Sequence, residues 1–254
     1  MLKLENKVAI VTGAMRGIGL AVAENFIKEG AKVMLLDVDE KKLEKAVAHL
    51  NTEQVLWKKA DVTKHEEVKA AVIATVEQWN KLDIVCCNAG IGGTAHVTWE
   101  YPEEDFDKVI NVNLKGVWLS MKHTIPEMIK IGGGSIIIIS SLAGLRGATK
   151  AVAYTASKHA VTGIMKTTAL EAARYNIRVN SIHPGPVETE MVRGLECTIC
   201  PSNIEEARKT LLKAIPLRRY ANTADIAKLA VFLASDEASY ITGSEHTIDG
   251  GMNA

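Results

Sequence analysis

Val8-Ala9-Ile10-Val11-Thr12-Gly13-Ala14-Met15-Arg16-Gly17-Ile18-Gly19 is the stretch that decides the fold of this chain. Residues 8–11 are a continuous apolar run of strand length, and Thr12 leads into a turn carrying Gly13, Gly17 and Gly19. An amphipathic stretch over residues 20–29 follows, with Val22, Phe26 and Ile27 as its apolar positions and Gly30 as its stop. Strand, glycine turn and helix in that order make a ready anion site. Glycines permit a sharp turn and a close backbone approach to a pyrophosphate, while the helix start offers unpaired N–H groups and a positive dipole end. Gly13, Arg16, Gly17, Ile18 and Gly19 are therefore candidate nucleotide contacts, with helix–strand packing as the plainer use of the glycines.

The alternation continues along the chain. Apolar runs at 33–36, 55–59, 84–87, 136–139, 179–182 and 246–248 are spaced by helical patterns at 41–50, 66–79, 103–130, 153–175 and 224–234. The pattern at 103–130 is interrupted near 111–113. Strands spaced by helices, most of them near-continuous apolar runs, describe a parallel sheet covered on both faces. A closed βα-barrel is the alternative. The glycine turn after the first strand favours an α/β fold with an open, doubly wound, Rossmann-type sheet, which places ligands at the carboxyl ends of its strands. No repeat or linker divides the chain, so residues 1–254 read as a single domain. Within it, residues 187–220 are weakly patterned and punctuated by Gly194 and Pro201, and they read as a mobile substrate lid.

Formal charge is zero, which gives no general attraction to nucleic acid or anionic membrane. No apolar run approaches the ~18 residues of a membrane span, and the first residues lack a signal-peptide core. Four cysteines in a chain of this size make no disulfide framework, and a reduced, cytoplasmic protein is the expectation. Cys86 and Cys87 are neighbours in a strand pattern and so face opposite ways. Cys197 and Cys200 have the spacing of half a zinc site or a redox pair. Neither a second Cys/His pair nor a strand-to-helix context supports those uses, so they read as two loop thiols and no metal is expected.

Asp37 ends the second strand, close to the ~20 residues beyond the glycines at which an acid accepts hydrogen bonds from an adenosine ribose. Its plainer role, a helix N-cap, can be filled by Asp39. Asp61 ends the third strand region and can face an adenine edge, cap a helix or pair with a cation. Asn88 and Gly90 follow the fourth strand in a small-residue turn that permits close approach to the adenosine half. Chemistry is carried by Tyr154 and Lys158, which share a helix face in Y-T-A-S-K, with Ser141 thirteen residues before the tyrosine. A phenol titrates near ~10, and a nearby cation favours its ionised form. Such a tyrosine can exchange a proton with a carbonyl or alcohol oxygen that Ser141 also hydrogen-bonds.

These pieces resemble the classical short-chain dehydrogenase/reductase family over almost the whole chain. They occur in order: Thr12-Gly13 to Gly19, Asp61-Val62, Cys87-Asn88-Ala89-Gly90, Asn111-Val112-Asn113, Ser141, Tyr154 with Lys158, Pro184-Gly185 and Asp249-Gly250-Gly251. Cys87 departs from the family, which often has a second Asn there; Asn88 remains. The resemblance implies a nicotinamide cofactor, which the Asp37 carboxylate marks as NAD, and a catalytic tetrad of Asn113, Ser141, Tyr154 and Lys158. Tyr154 would be the general acid/base. Lys158 would lower its pKa and hold the nicotinamide ribose. Ser141 would polarise the substrate oxygen, and Asn113 would hold a water relaying protons. Val62, Pro184, Val187 and Thr189 would complete the cofactor contacts, with Thr189 at the nicotinamide carboxamide.

The implied substrate is a small-molecule secondary alcohol or its ketone, and the implied assembly a homo-oligomer, tetramer or dimer. An NADPH-dependent 3-oxoacyl-carrier-protein reductase is the rival, opposed by Asp37 and by the lack of a basic patch for an acidic carrier; Arg146 and Lys150 are two loop charges. A nucleotide sensor on the same fold would be free to lose the tyrosine or lysine, and both are kept. Epimerases and dehydratases of the extended families carry a larger C-terminal part than follows Gly185 here. The expected substrate lining is 92–97, 142–152 and 187–220. Leu142, Leu145, Val152, Met191, Val192 and Leu195 suit an alicyclic or hydroxysteroid-like alcohol, unless they pack the lid onto the body.

Overall fold

The computed structural model describes residues 2–200 and 202–254. Seven strands, β1 (Val8–Thr12), β2 (Lys32–Asp37), β3 (Val55–Lys59), β4 (Ile84–Cys87), β5 (Gly134–Ile139), β6 (Ile177–Pro184) and β7 (Glu245–Ile248), form one sheet. Their order is β3-β2-β1-β4-β5-β6-β7, and every pairing is parallel. The chain builds outward from β1 to β3, returns to lay β4 on the other side of β1, and builds outward again to β7. This is the Rossmann-type doubly wound sheet. Its reversal lies between β1 and β4, where the connections leave in opposite directions and open a crevice at the carboxyl ends.

Side-chain alternation splits the interior into two cores. Ala9 and Val11 face α1 (Gly17–Lys28) and α9 (Thr223–Ala234), packing with Val22, Phe26, Ile226 and Ala230. Val8 and Ile10 face the other way, against Val117 and Met121 of α5 (Gly116–Lys130) and Val161 and Met165 of α6 (Val152–Ala172). Cys86 belongs to the first core and Cys87 to the second, as their adjacency in a strand requires. Burial on both faces explains why β1 reads as an unbroken apolar run. Three further helices complete the layers: α2 (Glu40–Leu50), α3 (His65–Trp79) and α4 (Glu103–Ile110).

Two places add to the sequence expectations. The interruption near 111–113 is a π-helical turn, Asn111–Lys115, which joins α4 to α5 without breaking the rod. The weakly patterned segment contains two helices, α7 (Glu190–Ile199) and α8 (Ile204–Ala214). Asn203 caps α8 by accepting from the Glu206 N–H at 3.1 Å, and Glu205 and Glu206 fill its acidic first turn. The reading of 187–220 as weakly patterned missed this cap and acidic first turn. Pro201 lies outside the described residues. Among the described residues no helix is long and apolar enough to cross a membrane.

Candidate active site

At the reversal, the end of β4 is stitched to the glycine turn. The Thr12 hydroxyl accepts from the N–H groups of Asn88 (3.0 Å) and Ala89 (3.1 Å), and the Asn88 amide donates to the carbonyls of Thr12 (3.0 Å) and Gly13 (2.9 Å). Asn88 thus acts as a clamp on the turn, using its amide inside the protein. A Cβ on Gly19 would stand 2.3 Å from the Gly13 carbonyl oxygen, so packing alone demands glycine there. Gly17 differs. Its φ is +60°, and the nearest atom to a Cβ would be the Thr189 methyl at 3.6 Å, so backbone conformation is what it supplies.

Helix α1 begins after Arg16, which gives no side-chain cap to the first N–H groups. Those donors are orphans in the sense that every helix start is, and they open toward the crevice end of the sheet. Arg16 instead forms an ion pair with Glu190 at the start of α7. Asp37 is half-buried and accepts from the N–H groups of Met15 (3.1 Å) and Val38 (2.8 Å), so the turn and the end of β2 share one carboxylate. Asp39 caps α2 through the Lys42 N–H at 3.1 Å, leaving Asp37 free of that task. Asp61 turns its own loop by accepting from the Thr63 N–H (2.9 Å); Lys64, not Asp61, stands at the start of α3. Val62 buries its side chain beside Val68 and Leu119. Ile18 is half-buried on the first core. Uncapped helix donors, a small-residue turn and a carboxylate at the end of β2 fit a dinucleotide.

The second half of the candidate site lies where β5 runs out. Ser141 is the cap of a short 3-10 turn, Leu142–Gly144, and its hydroxyl accepts from the Ala143 N–H at 3.1 Å. Helix α6 carries Tyr154 and Lys158 one turn apart. The Lys158 ammonium is buried, donates to the Ile139 carbonyl at 2.8 Å and lies 5.6 Å from the centre of the Tyr154 ring. Burial pulls Lys158 down to about 8, which leaves it mainly charged at neutral pH. For Tyr154, burial pushes the phenol up, with the Ser141 hydroxyl acting the other way. Against the expectation that the lysine lowers it, the phenol is raised in this geometry by its burial. The phenol carries its proton at neutral pH.

Asn113 is fully buried and uses its whole side chain. It accepts from the Ile91 N–H (2.8 Å) and donates to the Ile91 carbonyl (2.9 Å) and the Ser157 hydroxyl (3.0 Å). Gly90 completes the convergence: a Cβ there would come 3.3 Å from the Asn113 side-chain oxygen and 3.6 Å from the Lys158 nitrogen.

A family model described as enoyl-(acyl carrier protein) reductase matches residues 13–253. The chain belongs to the short-chain dehydrogenase/reductase family. Members of this family are oxidoreductases that use nicotinamide cofactors. Levodione reductase of Leifsonia aquatica is 36% identical over 99% of this chain and 96% of its own length. A crystal structure of levodione reductase superposes with a TM-score of 0.95, covering 98% of both chains. The 3-oxoacyl-[acyl-carrier-protein] reductase FabG of Thermotoga maritima is 40% identical over 99% of both chains. The trans-4-hydroxycyclohexanecarboxylate dehydrogenase of Sinomonas cyclohexanicum is 40% identical over 99% of this chain and 95% of its own.

In this short-chain dehydrogenase/reductase, the far wall of the crevice is Pro184, which ends β6, and the turn beyond it. Val187 is buried and bridges to Ala221, while Thr189 stands at the N-cap position of α7 without a side-chain cap bond and donates to the Val187 carbonyl at 3.2 Å. A Cβ on Gly185 would meet Asp249 at 2.9 Å, so Asp249-Gly250-Gly251 serves to seat the Pro184-Gly185 turn. Of the apolar lining candidates, Leu142 and Val192 are packed inside, Val192 against Ile215 and Tyr220. Met191 and Leu195 are about half exposed on α7.

Three features escaped the sequence. Glu196, between exposed neighbours, is 2% exposed and accepts from the Tyr220 hydroxyl at 2.8 Å. Arg208 of α8 joins it at 3.5 Å while also gripping Glu188 at 2.7 Å, which ties α7 and α8 together. Ser157 and His183 are buried polar residues beside tetrad positions. Only spacing could have found Ser157; nothing local marks Glu196 or His183. Among the described residues no group of three or more His, Cys, Asp or Glu could hold a metal ion, and Cys197 and Cys200 are free thiols.

Proposed function

We propose that this protein interconverts an alicyclic secondary alcohol and its ketone with NAD(H), using Asn113, Ser141, Tyr154 and Lys158. The observation that carries the reading is the meeting of Ser141, Tyr154 and the buried Lys158 ammonium where β5 ends, across the crevice from the glycine turn. A bound dinucleotide supplies or accepts the hydride; the chain manages position and one proton. Ser141 donates a hydrogen bond to the substrate oxygen. Tyr154, protonated at rest, gives its proton to a ketone oxygen or, once ionised, takes one from an alcohol. Lys158 would hold the ribose and stabilise the phenolate as it forms. The Asn113 side chain is committed to Ile91 and Ser157, so it holds the wall of the site beside Gly90 and Lys158.

Gly13, Gly17 and Gly19 with the first N–H groups of α1 would hold the pyrophosphate, Asp37 the adenosine ribose, and Val187 and Thr189 the nicotinamide carboxamide. Asp61, Val62, Asn88, Gly90 and Pro184 shape the adenosine and nicotinamide walls. Residues 187–220 act as a lid within a single domain, latched to the glycine turn by the exposed Arg16–Glu190 pair. The levodione and hydroxycyclohexanecarboxylate enzymes support a ring-bearing substrate, which the half-exposed Met191 and Leu195 suit. We place the enzyme in the cytoplasm as a homo-oligomer.

The likeness to the FabG enzyme favours a carrier-bound 3-oxoacyl substrate as second reading. Against it, Arg146 is tied to the Met252 carbonyl at 3.0 Å rather than offered to an acidic carrier. A panel of cyclic alcohols and ketones beside a 3-oxoacyl thioester, scored by NADH and NADPH absorbance, separates the two. Turnover of the thioester with NADPH and none with cyclic substrates would reject the proposal.

A further inference from the structure

We infer that His183 is a positioning residue for Ser141, resting on the role proposed for Ser141 above. The backbone of Ser141 lies beyond β5, where the ladder no longer holds it. Its predecessor is the last residue anchored by the sheet, the Ser140 N–H donating to the Ile182 carbonyl at 2.8 Å. The Ser141 carbonyl has two partners. One is the Gly144 N–H at 2.8 Å, inside its own tight turn. The other is the His183 ring at 3.0 Å through Nδ1, the contact from the sheet. The ring is completely buried, and its Nε2 meets the Ser181 hydroxyl at 2.8 Å on the same strand.

The chemistry of these partners fixes the tautomer. A carbonyl only accepts, so Nδ1 must carry a proton, and the Ser181 hydroxyl then donates to a bare Nε2 in the neutral ring. Burial favours that neutral form, as does the nearby Lys158 charge; Glu245 and the Ser141 carbonyl act the other way, and His246 adds to the lowering. His183 therefore transmits the register of β6 to the one peptide that sets where the Ser141 hydroxyl stands. Without it, the carbonyl keeps only a bond within its own turn, and that turn is free to tilt against the sheet.

The test uses two polar replacements. An Asn amide places a donor near the Nδ1 position, and a Gln amide reaches toward Nε2. His183→Asn should keep kcat within about 3-fold of wild type, and His183→Gln should lose about 10-fold or more. Dinucleotide affinity by fluorescence titration and thermal unfolding should be alike in both. In a Ser141→Ala background the Asn/Gln difference should vanish, because the positioned hydroxyl is gone. Nitrogen-15 histidine spectra of the wild type should show a neutral ring protonated at Nδ1. Equal kcat for the two variants, a Gln variant better than the Asn variant, or an Nε2–H tautomer overturns the inference. A fully active Ser141→Ala enzyme rejects the role of Ser141 and this inference with it, and the ring tautomer then still reports separately on the contact.

Discussion

Replacing Asp37 by Ala probes the cofactor assignment most directly. The carboxylate stands half-buried at the end of β2 and already accepts from the Met15 and Val38 N–H groups. A 2′-phosphate placed at the same ribose brings a second anion against it. Like charges at ~4 Å repel by about 1 kcal/mol in water and about 4 kcal/mol near a protein surface. A half-buried group lies between these limits, so ~2 kcal/mol, or about 30-fold, is the working value. Arg16 is the basic residue that could offset this, and it is engaged by Glu190. The wild type should prefer NAD(H) over NADP(H) by about 30-fold in kcat/KM on one substrate, and Asp37→Ala should shrink that ratio about 10-fold or more. Absolute efficiency should fall with both cofactors, since two backbone N–H groups lose their acceptor at ~1 kcal/mol each. Glu190→Gln, which frees Arg16, should raise NADP(H) efficiency by a few-fold only, as exposed pairs are weak. Wild-type preference for NADP(H), or an unchanged ratio in Asp37→Ala, refutes the reasoning.

Tyr154→Phe should lower kcat by ~10²–10⁴ with little change in dinucleotide Kd. Because burial holds the phenol protonated, alcohol oxidation should rise with pH into the alkaline range while ketone reduction falls there; opposite slopes contradict the acid/base role. Lys158 stays charged below its folded value of about 8 although the unfolded chain binds that proton more strongly, so its burial opposes folding at neutral pH, and the penalty fades as pH rises toward the unfolded value. Lys158→Met should therefore be inactive yet as stable as wild type or more so, by ~1–3 kcal/mol after the lost bond to Ile139 is discounted; calorimetry at pH 7 checks the sign. Hydrogen exchange over residues 187–220 should slow on dinucleotide binding, and protection equal to that of the strands without ligand would reject the lid. Joint replacement of Cys197 and Cys200 by Ser should leave activity intact, and its loss would restore a role to the thiol pair.

Residues 8–19 and the alternation that follows them were enough to give the parallel, doubly wound sheet, because strands buried on both faces must be apolar throughout and a glycine turn before a helix has few other uses. Tyr154, Lys158 and Ser141 were legible for a related reason: helical spacing and the end of a strand fix direction locally. Contacts between distant segments were not legible. The two helices within 187–220 were missed, since the punctuation by Gly194 and Pro201 says nothing of the Glu196–Tyr220–Arg208 network that holds α7 and α8 together. Asn88 and Asn113 sit at recognisable positions, yet only the folded chain shows them spending their amides on Gly13, Ile91 and Ser157. The direction of the Tyr154 shift also came from tertiary burial. Sequence places a cation near a phenol, but the low-dielectric surroundings and the carbonyl that takes the ammonium belong to the packed interior, where desolvation wins.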